Sequence, residues 1–259
     1  MAVFACASAS GSPGVTTTVL ALACEWPRPV VVVEADPTAG SAILAGFFRG
    51  VVEPTGGLVE LMVAQRQDQL ADRLPSVLLP IPDSSVKVLP GIQTRSQAAG
   101  LESVWSPLLA ALRDLDDTGT DALVDAGRLP WTGSLNPLVL GADVLVLAAA
   151  SNLPVVAKTR ALAADLADQR PFGVGLLVIG PNRPYGIGEV AKALGLPAVG
   201  RIEWDPREAA VYALGEAPAR HAERSAFRGS IRATGEAIRA FAEASRRPTS
   251  PSLSIGGVR

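Results

Sequence analysis

The chain has 259 residues, 48% of them hydrophobic, and a formal net charge of −2 at pH 7. That length suffices for one substantial α/β core, the near-neutral balance argues against a surface that attracts nucleic acid or membrane everywhere, and no apolar run reaches the roughly 18 residues of a membrane span. The single histidine, His221, falls in the charged terminal region and is expected to be exposed, which gives Ser–His and Cys–His nucleophilic systems and a His-rich metal centre little support, and the two cysteines, Cys6 and Cys24, form no Cys-x-x-Cys.

Residues 2–7 form an apolar, strand-like run that opens the chain and leaves no stretch for a signal peptide. Cys6 in this run and Cys24 beyond it read as small buried hydrophobes of a reducing, cytoplasmic compartment. A Gly/Ser-rich turn follows over residues 8–18, and residues 16–24 are helix-forming. Val30-Val31-Val32-Val33 is a continuous β-branched run, the pattern of a parallel strand buried on both faces, and it ends in Glu34-Ala35-Asp36-Pro37. Residues 57–74 read as one helix, with Leu58, Leu61, Met62, Gln65, Leu70 and Leu74 on a partial stripe. Residues 75–90 are Pro-rich loop closing with a short strand at Val86-Lys87-Val88-Leu89. After a helix over 101–115, the strand Ala122-Leu123-Val124 ends in Asp125-Ala126-Gly127-Arg128. A strand over 144–148, a helix over 154–169 starting at a first-turn proline, and a terminal helical region over 219–244 complete the pattern. Residues 247–259 are rich in Pro, Ser and Gly and are expected to be disordered. Strands alternate with helices almost throughout, which predicts a doubly wound, mostly parallel α/β sheet with helices on both faces.

The chemistry concentrates at strand ends. A Gly-rich turn between a strand and a helix aims backbone N–H groups and a helix N-terminus at an anion. The usual phosphate loop adds a lysine and then a Ser or Thr for Mg²⁺; here Gly14-Val15-Thr16-Thr17 stands in that place. A ligand-free turn and simple helix N-capping by Thr16, Thr17 and Thr18 are the alternatives for these residues. Asp36 and Asp125 follow buried parallel strands at the edge where ligands sit in open α/β sheets, and an acidic residue after such a strand has the Walker B arrangement for Mg²⁺.

Taken together the motifs resemble the ParA/MinD family of deviant Walker P-loop ATPases, of the SIMIBI class. The family loop Lys-Gly-Gly-x-Gly-Lys-Thr-Thr aligns without a gap with Ser10-Gly11-Ser12-Pro13-Gly14-Val15-Thr16-Thr17. Its Asp-x-Asp-Pro is matched by Glu34-Ala35-Asp36-Pro37, and its Asp-x-Pro-Pro in part by Asp125-Ala126-Gly127-Arg128. Its Val-x-Asn-Arg turn is matched by Ile179-Gly180-Pro181-Asn182-Arg183, and its Gly-x-Ile-Pro-x-Asp by Gly200-Arg201-Ile202-Glu203-Trp204-Asp205. The order runs from about Val3 to Pro218. The resemblance implies one nucleotide-binding domain over residues 1–246, ATP and Mg²⁺ as cofactors, and a homodimer. It implies nucleotide contacts from Gly11, Ser12, Pro13, Gly14, Val15, Thr16 and Thr17, adenine recognition by Asn182, and metal organisation by Thr16, Asp36 and Asp125. Asp36 is then expected to help position the attacking water.

Both family lysines are replaced, by Ser10 and Val15. A charge-assisted hydrogen bond is worth about 1.5–3 kcal/mol, so ATP binding is expected to survive, while hydrolysis, which needs the charge most in the transition state, is expected to be weak or absent. Arg128, where the family carries a proline, is the candidate replacement cation; facing solvent or a carboxylate such as Glu34 or Asp36 is its alternative. Lysine-deficient relatives occur among CpaE/TadZ-type localisation proteins, which suggests positioning or docking of a partner in partitioning, pilus or secretion systems. The competing readings are an active ATP-switched partitioning ATPase and a nucleotide-free scaffold. Arg220, Arg224, Arg228 and Arg232 recur every four residues and would form one helical ridge, suited to DNA phosphates or simply to solvent. Residues 250–259 lack the apolar face of a membrane-anchoring helix.

Overall fold

A computed structural model of the chain describes residues 2–10, 13–38, 40–53, 56–129, 137–170 and 173–246. In chain order the elements are β1 (Val3–Ser8), α1 (Val15–Cys24), β2 (Val30–Glu34), α2 (Leu58–Gln65), α3 (Leu70–Arg73), β3 (Leu79–Pro80), β4 (Val86–Leu89), α4 (Glu102–Asp114), β5 (Asp121–Arg128), α5 (Pro137–Gly141), β6 (Val144–Ala150), α6 (Leu153–Gln169), β7 (Val174–Ile179), α7 (Ile187–Leu194), β8 (Ala198–Ile202), α8 (Pro206–Leu214) and α9 (Ala226–Arg246). One eight-stranded sheet runs in the order β3-β4-β2-β5-β1-β6-β7-β8. Every neighbouring pair is parallel except the short β3–β4 pair.

The two-residue period of the strands divides the core. Val3, Ala5, Ala7, Val31, Val33 and Val124 face one layer with Leu58, Leu61, Leu108, Leu112 and Leu166. Phe4, Cys6, Val30, Val32 and Leu123 face the other, against Val19, Leu20, Tyr212, Ile231 and Ile238. Such alternation of two apolar sets on one strand is what a doubly wound sheet demands. Each fully buried aliphatic side chain contributes about 1.5–3 kcal/mol relative to exposure. At the lower edge, buried Asp121 accepts hydrogen bonds from Ala2 N (3.0 Å) and Trp26 Nε1 (2.9 Å), and Trp26 meets Phe4 edge to face at 5.2 Å. That network fixes the ends of β1 and β5 side by side.

After β2 the chain forms one turn of π-helix, Ile43–Phe47, against the end of α8. Gly46 and Gly215 make the approach possible. A β-carbon at Gly46 would overlap the Ala213 carbonyl, and one at Gly215 the Phe47 carbonyl.

Four expectations need correction. The single helix over 57–74 is broken, because residues 65–68 (Gln-Arg-Gln-Asp) offer no apolar side chain to carry the stripe and Asp68 turns left-handed at φ 57°. The Pro-rich stretch 75–90 contributes β3 in addition to β4. Cys24 is exposed, whereas Cys6 is buried as expected. The arginine ridge does not form: His221 is left-handed at φ 63°, the last helix begins only at Ala226, and Arg220 and Arg224 precede it. Arg228 instead bridges Glu25 (3.6 Å) and buried Glu208 (3.2 Å), and Arg232 reaches Glu25 at 3.1 Å. The stretch 247–259 lies outside the described residues.

Candidate functional site

Parallel register brings the candidate carboxylates together. Glu34 pairs with Asp125 across β2 and β5, and Cys6 pairs with Asp125 across β1 and β5. The upper ends of β1, β2 and β5 therefore converge where α1 begins. Ser8 Oγ donates to the Ser10 carbonyl at 2.8 Å, holding the chain that leaves β1. Gly14, left-handed at φ 88°, turns the chain into α1, a conformation that costs glycine little. Gly11 and Ser12 lie outside the described residues.

A cavity of about 440 Å³ opens on this edge, lined by Pro13, Gly14, Val15, Thr16 and Thr17 from the loop and α1, and by Ser8, Asp36, Thr38, Gly127 and Arg128 from the strand ends. Thr16, Asp36 and Arg128, named from the sequence, thus meet around one space. Val15 borders it but is buried with Phe4 and Val19 in the core layer beneath α1, so the lysine position contributes no charge. Arg128 is exposed, and it is the one basic residue among the described residues lining the cavity. It forms no ion pair among the described residues, which excludes the Glu34 and Asp36 pairings there.

Beneath it lies a space of about 40 Å³ bordered by Thr16, Glu34, Asp36, Ser41 and Asp125. Asp125 is 1% exposed and accepts a hydrogen bond from Gly127 N at 2.9 Å. Burial pushes its carboxyl up to about 6, the nearby Glu34 and Asp36 charges add to this, and hydrogen bonds from the Thr16 hydroxyl and Gly127 N–H oppose it. Asp36 accepts from Thr38 N (2.8 Å) and Thr38 Oγ1 (2.7 Å). Gly127 is left-handed at φ 57°, and a β-carbon there would overlap the Asp36 carboxylate. Glu34 is a tie rather than a ligand. It accepts from the Ser41 hydroxyl, Ile43 N (3.1 Å) and Gly91 N (3.2 Å), joining β2, the turn after it and the end of β4. Burial also raises its pKa.

Among the described residues no group of three or more His, Cys, Asp or Glu is arranged to hold a metal ion alone. Thr16, Asp36 and Asp125 nevertheless supply hard oxygen donors around one space, the partial set that suits Mg²⁺ carried in with phosphates.

A second cavity, about 350 Å³, shares Pro13, Gly14 and Thr17 with the first and extends along α8 past Ile179, Ile202, Trp204, Ala210 and Phe227. Asn182 does not line it. Asn182 is exposed, left-handed at φ 61°, with its N–H on the Tyr185 carbonyl at 2.8 Å. Thr38, Gly127 and Trp204 escaped the sequence reading. Only Trp204 left a signal there, an aromatic residue just past a strand's C-terminal end.

No family model matches the sequence, and no curated protein matches it either. Solved structures do. The cell division ATPase MinD of Pyrococcus furiosus superposes with a TM-score of 0.70 at 18% identity, covering 92% of this chain and 98% of that one. The Pyrococcus horikoshii MinD complexed with Mg-ADP gives 0.68 at 18% identity, covering 95% and 99%. A ParA family ATPase from Chlorobium tepidum gives 0.69 at 16% identity, covering 91% and 98%. The chain has the fold of the MinD/ParA ATPases, a P-loop α/β architecture.

Proposed function

We propose that the chain binds ATP with Mg²⁺ at the 8–18 loop, hydrolyses it slowly or not at all, and works as a nucleotide-responsive protein that positions or docks a partner. Residues 1–246 act as one nucleotide-binding unit with 247–259 as an appended tail, in the cytoplasm, and nucleotide assembles a homodimer. The observation that carries this reading is Val15, turned into the core at the head of α1 while Thr16 and Asp36 line a cavity of ligand size and meet Asp125 in the small space adjoining it. The Mg-ADP held by the P. horikoshii MinD supports the choice of ligand.

Each group has a definable task. Amides of the loop and the positive end of α1 attract phosphate oxygens. The Thr16 hydroxyl and Asp125 hold the metal, directly or through water, and Mg²⁺ when bound neutralises phosphate charge. Asp36, pinned by Thr38, faces the same cavity from the opposite strand end and orients water. Arg128 offers the one side-chain cation among the described residues lining the cavity. Without the lysine, affinity falls by about 10- to 150-fold, the equivalent of 1.5–3 kcal/mol. The rate suffers more, because that charge acts chiefly on the transition state. Arg228 and Arg232 are committed to Glu25 and Glu208, so DNA contact is not assigned to them.

Calorimetry with Mg-ATP is expected to give a dissociation constant between roughly micromolar and millimolar, with phosphate release near background. Val15→Lys is expected to tighten binding by about tenfold or more. Absence of heat and of thermal shift at several millimolar Mg-ATP would overturn the binding claim. Robust turnover that disappears in Asp36→Ala would overturn the claim of weak hydrolysis. Sedimentation with and without Mg-ATP tests the dimer.

A further inference from the structure

Among the described residues two buried side-chain polar atoms lack a hydrogen-bond partner, Ser10 Oγ and Arg170 Nε. Such an atom in a native fold calls for an explanation, and a group that arrives from outside is one. Arg170 follows α6 and is only 8% exposed. Its terminal nitrogens are spent on α5 and the turn beyond it. Nη1 donates to the Val139 and Leu140 carbonyls at 3.2 and 2.6 Å, and Nη2 to the Ala142 carbonyl at 2.5 Å. All three acceptors are neutral. Asp143 acts on the guanidinium through space, and its own carboxylate accepts from Val3 N at 2.7 Å. A whole charge is thus held nearly out of water with one donor unused, an arrangement that an anion in contact would relieve.

Arg170 also lines a cavity of about 430 Å³. This cavity opens where β7 and β8 begin, at the sheet edge opposite the phosphate loop. Leu166, Leu196, Pro197 and Phe241 give it apolar walls, and the small side chains of Ala163 and Ala167 leave room along α6. The Ser245 hydroxyl on its rim is already engaged, donating to the Phe241 carbonyl at 2.8 Å. Arg170 is the one charged side chain among the described residues lining it. Gly173, left-handed at φ 69°, keeps the guanidinium in place, since a β-carbon there would stand 3.1 Å from Arg170 Nη2. The ends of α6 and α9 at the rim carry solvent-screened partial negative charge, which falls off within a turn, whereas Arg170 is a full charge in a drier setting.

We infer that this cavity is a binding site for a small organic acid, one carboxylate on an apolar body, with the carboxylate accepting from Arg170 Nε and the body lying against Leu166 and Phe241. Because Nε is enclosed, seating the carboxylate tilts the guanidinium toward the cavity. Charge and apolar surface are both needed: the cation alone does not hold a small anion against water, and the apolar wall alone does not tell an acid from a neutral ligand. The site stands apart from the phosphate loop and does not depend on nucleotide.

Calorimetry on the full chain with phenylacetate, phenylacetamide and acetate tests it. Phenylacetate is expected to bind with a dissociation constant of about a millimolar or tighter. The neutral amide, which lacks the charge, and acetate, which lacks the apolar body, are each expected to bind about tenfold more weakly or worse. The Arg170 Nε–H resonance is expected to move downfield as phenylacetate saturates. Ala167→Trp, at an exposed helix position, fills the cavity without touching the Arg170 hydrogen bonds, and is expected to abolish binding with the melting temperature nearly unchanged. Saturating Mg-ATP is expected to leave phenylacetate in place. No binding of phenylacetate, equal binding of its amide or of acetate, an unmoved Nε–H resonance, or an Ala167→Trp variant that binds like the parent would each overturn the site. Displacement of phenylacetate by Mg-ATP would put the acid in the nucleotide cavity and overturn it too.

Discussion

Asp125→Asn separates what the buried carboxylate does for function from what it costs the fold. The folded protein holds this carboxyl at about 6, against an ordinary value of 3.8. Roughly two pH units at 1.36 kcal/mol each set an upper bound of about 3 kcal/mol on the penalty for keeping it ionised. Because the folded state binds the proton more tightly than the unfolded chain, stability falls as pH rises between the two values. The full penalty is present above about pH 6 and absent below the unfolded value. The amide keeps the acceptor for Gly127 N and removes the repulsion toward Glu34 and Asp36, so the gain is expected to be about 1–3 kcal/mol at pH 7.5 in metal-free buffer. Urea titrations at pH 7.5, 6 and 4.5 measure it, and the gain should shrink steadily down that series. The same variant is expected to lose Mg²⁺-dependent ATP binding by tenfold or more, since a metal-organising charge has gone. A variant that is less stable at pH 7.5, or whose gain is the same at pH 4.5, would refute the reasoning.

Arg128→Ala is expected to weaken ATP by about tenfold or more, the equivalent of ~1.5 kcal/mol, with an unchanged melting temperature for the ligand-free protein; lost stability at constant affinity would make Arg128 structural. Arg228→Ala leaves Glu208, only 3% exposed, without its cation, so a destabilisation of about 3 kcal/mol or more is expected in urea titration. Gel-shift titrations of that variant with nonspecific duplex DNA should match the parent, and a clear loss of DNA binding would reinstate the arginine as a phosphate contact.

The sheet was legible because its strands are dense with Val, Leu and Ala, and because acidic residues and glycines punctuate their ends. Val30 to Val33, buried on both faces, needed nothing beyond the run itself. Asp36 and Asp125 were legible from strand ends, whereas Thr16 came from the loop's alignment with the family pattern. What failed depended on partners distant in sequence. Spacing every four residues suggested a basic ridge, but nothing near Arg228 announces that Glu25 and Glu208 will draw it into the body of the protein. The break at Asp68 hinged on one left-handed residue. Asn182 was transferred by motif, whereas its place relative to the cavities is set by how the β7–α7 turn folds.

The backbone-to-backbone seating of the π-turn on α8 has a mechanical consequence. The chain that leaves Asp36 runs through a turn tied to Glu34 and, at Gly46, rests on the Ala213 carbonyl with no side chain between as a cushion. Side-chain contacts yield by changing rotamer, but two backbones in contact can only travel together. The turn after β2 and α8 therefore form one stiff lever rather than two adjustable surfaces. A ligand that shifts the turn after β2 shifts α8 with it, and hydrogen exchange should slow or quicken in residues 43–47 and 206–214 as a single unit.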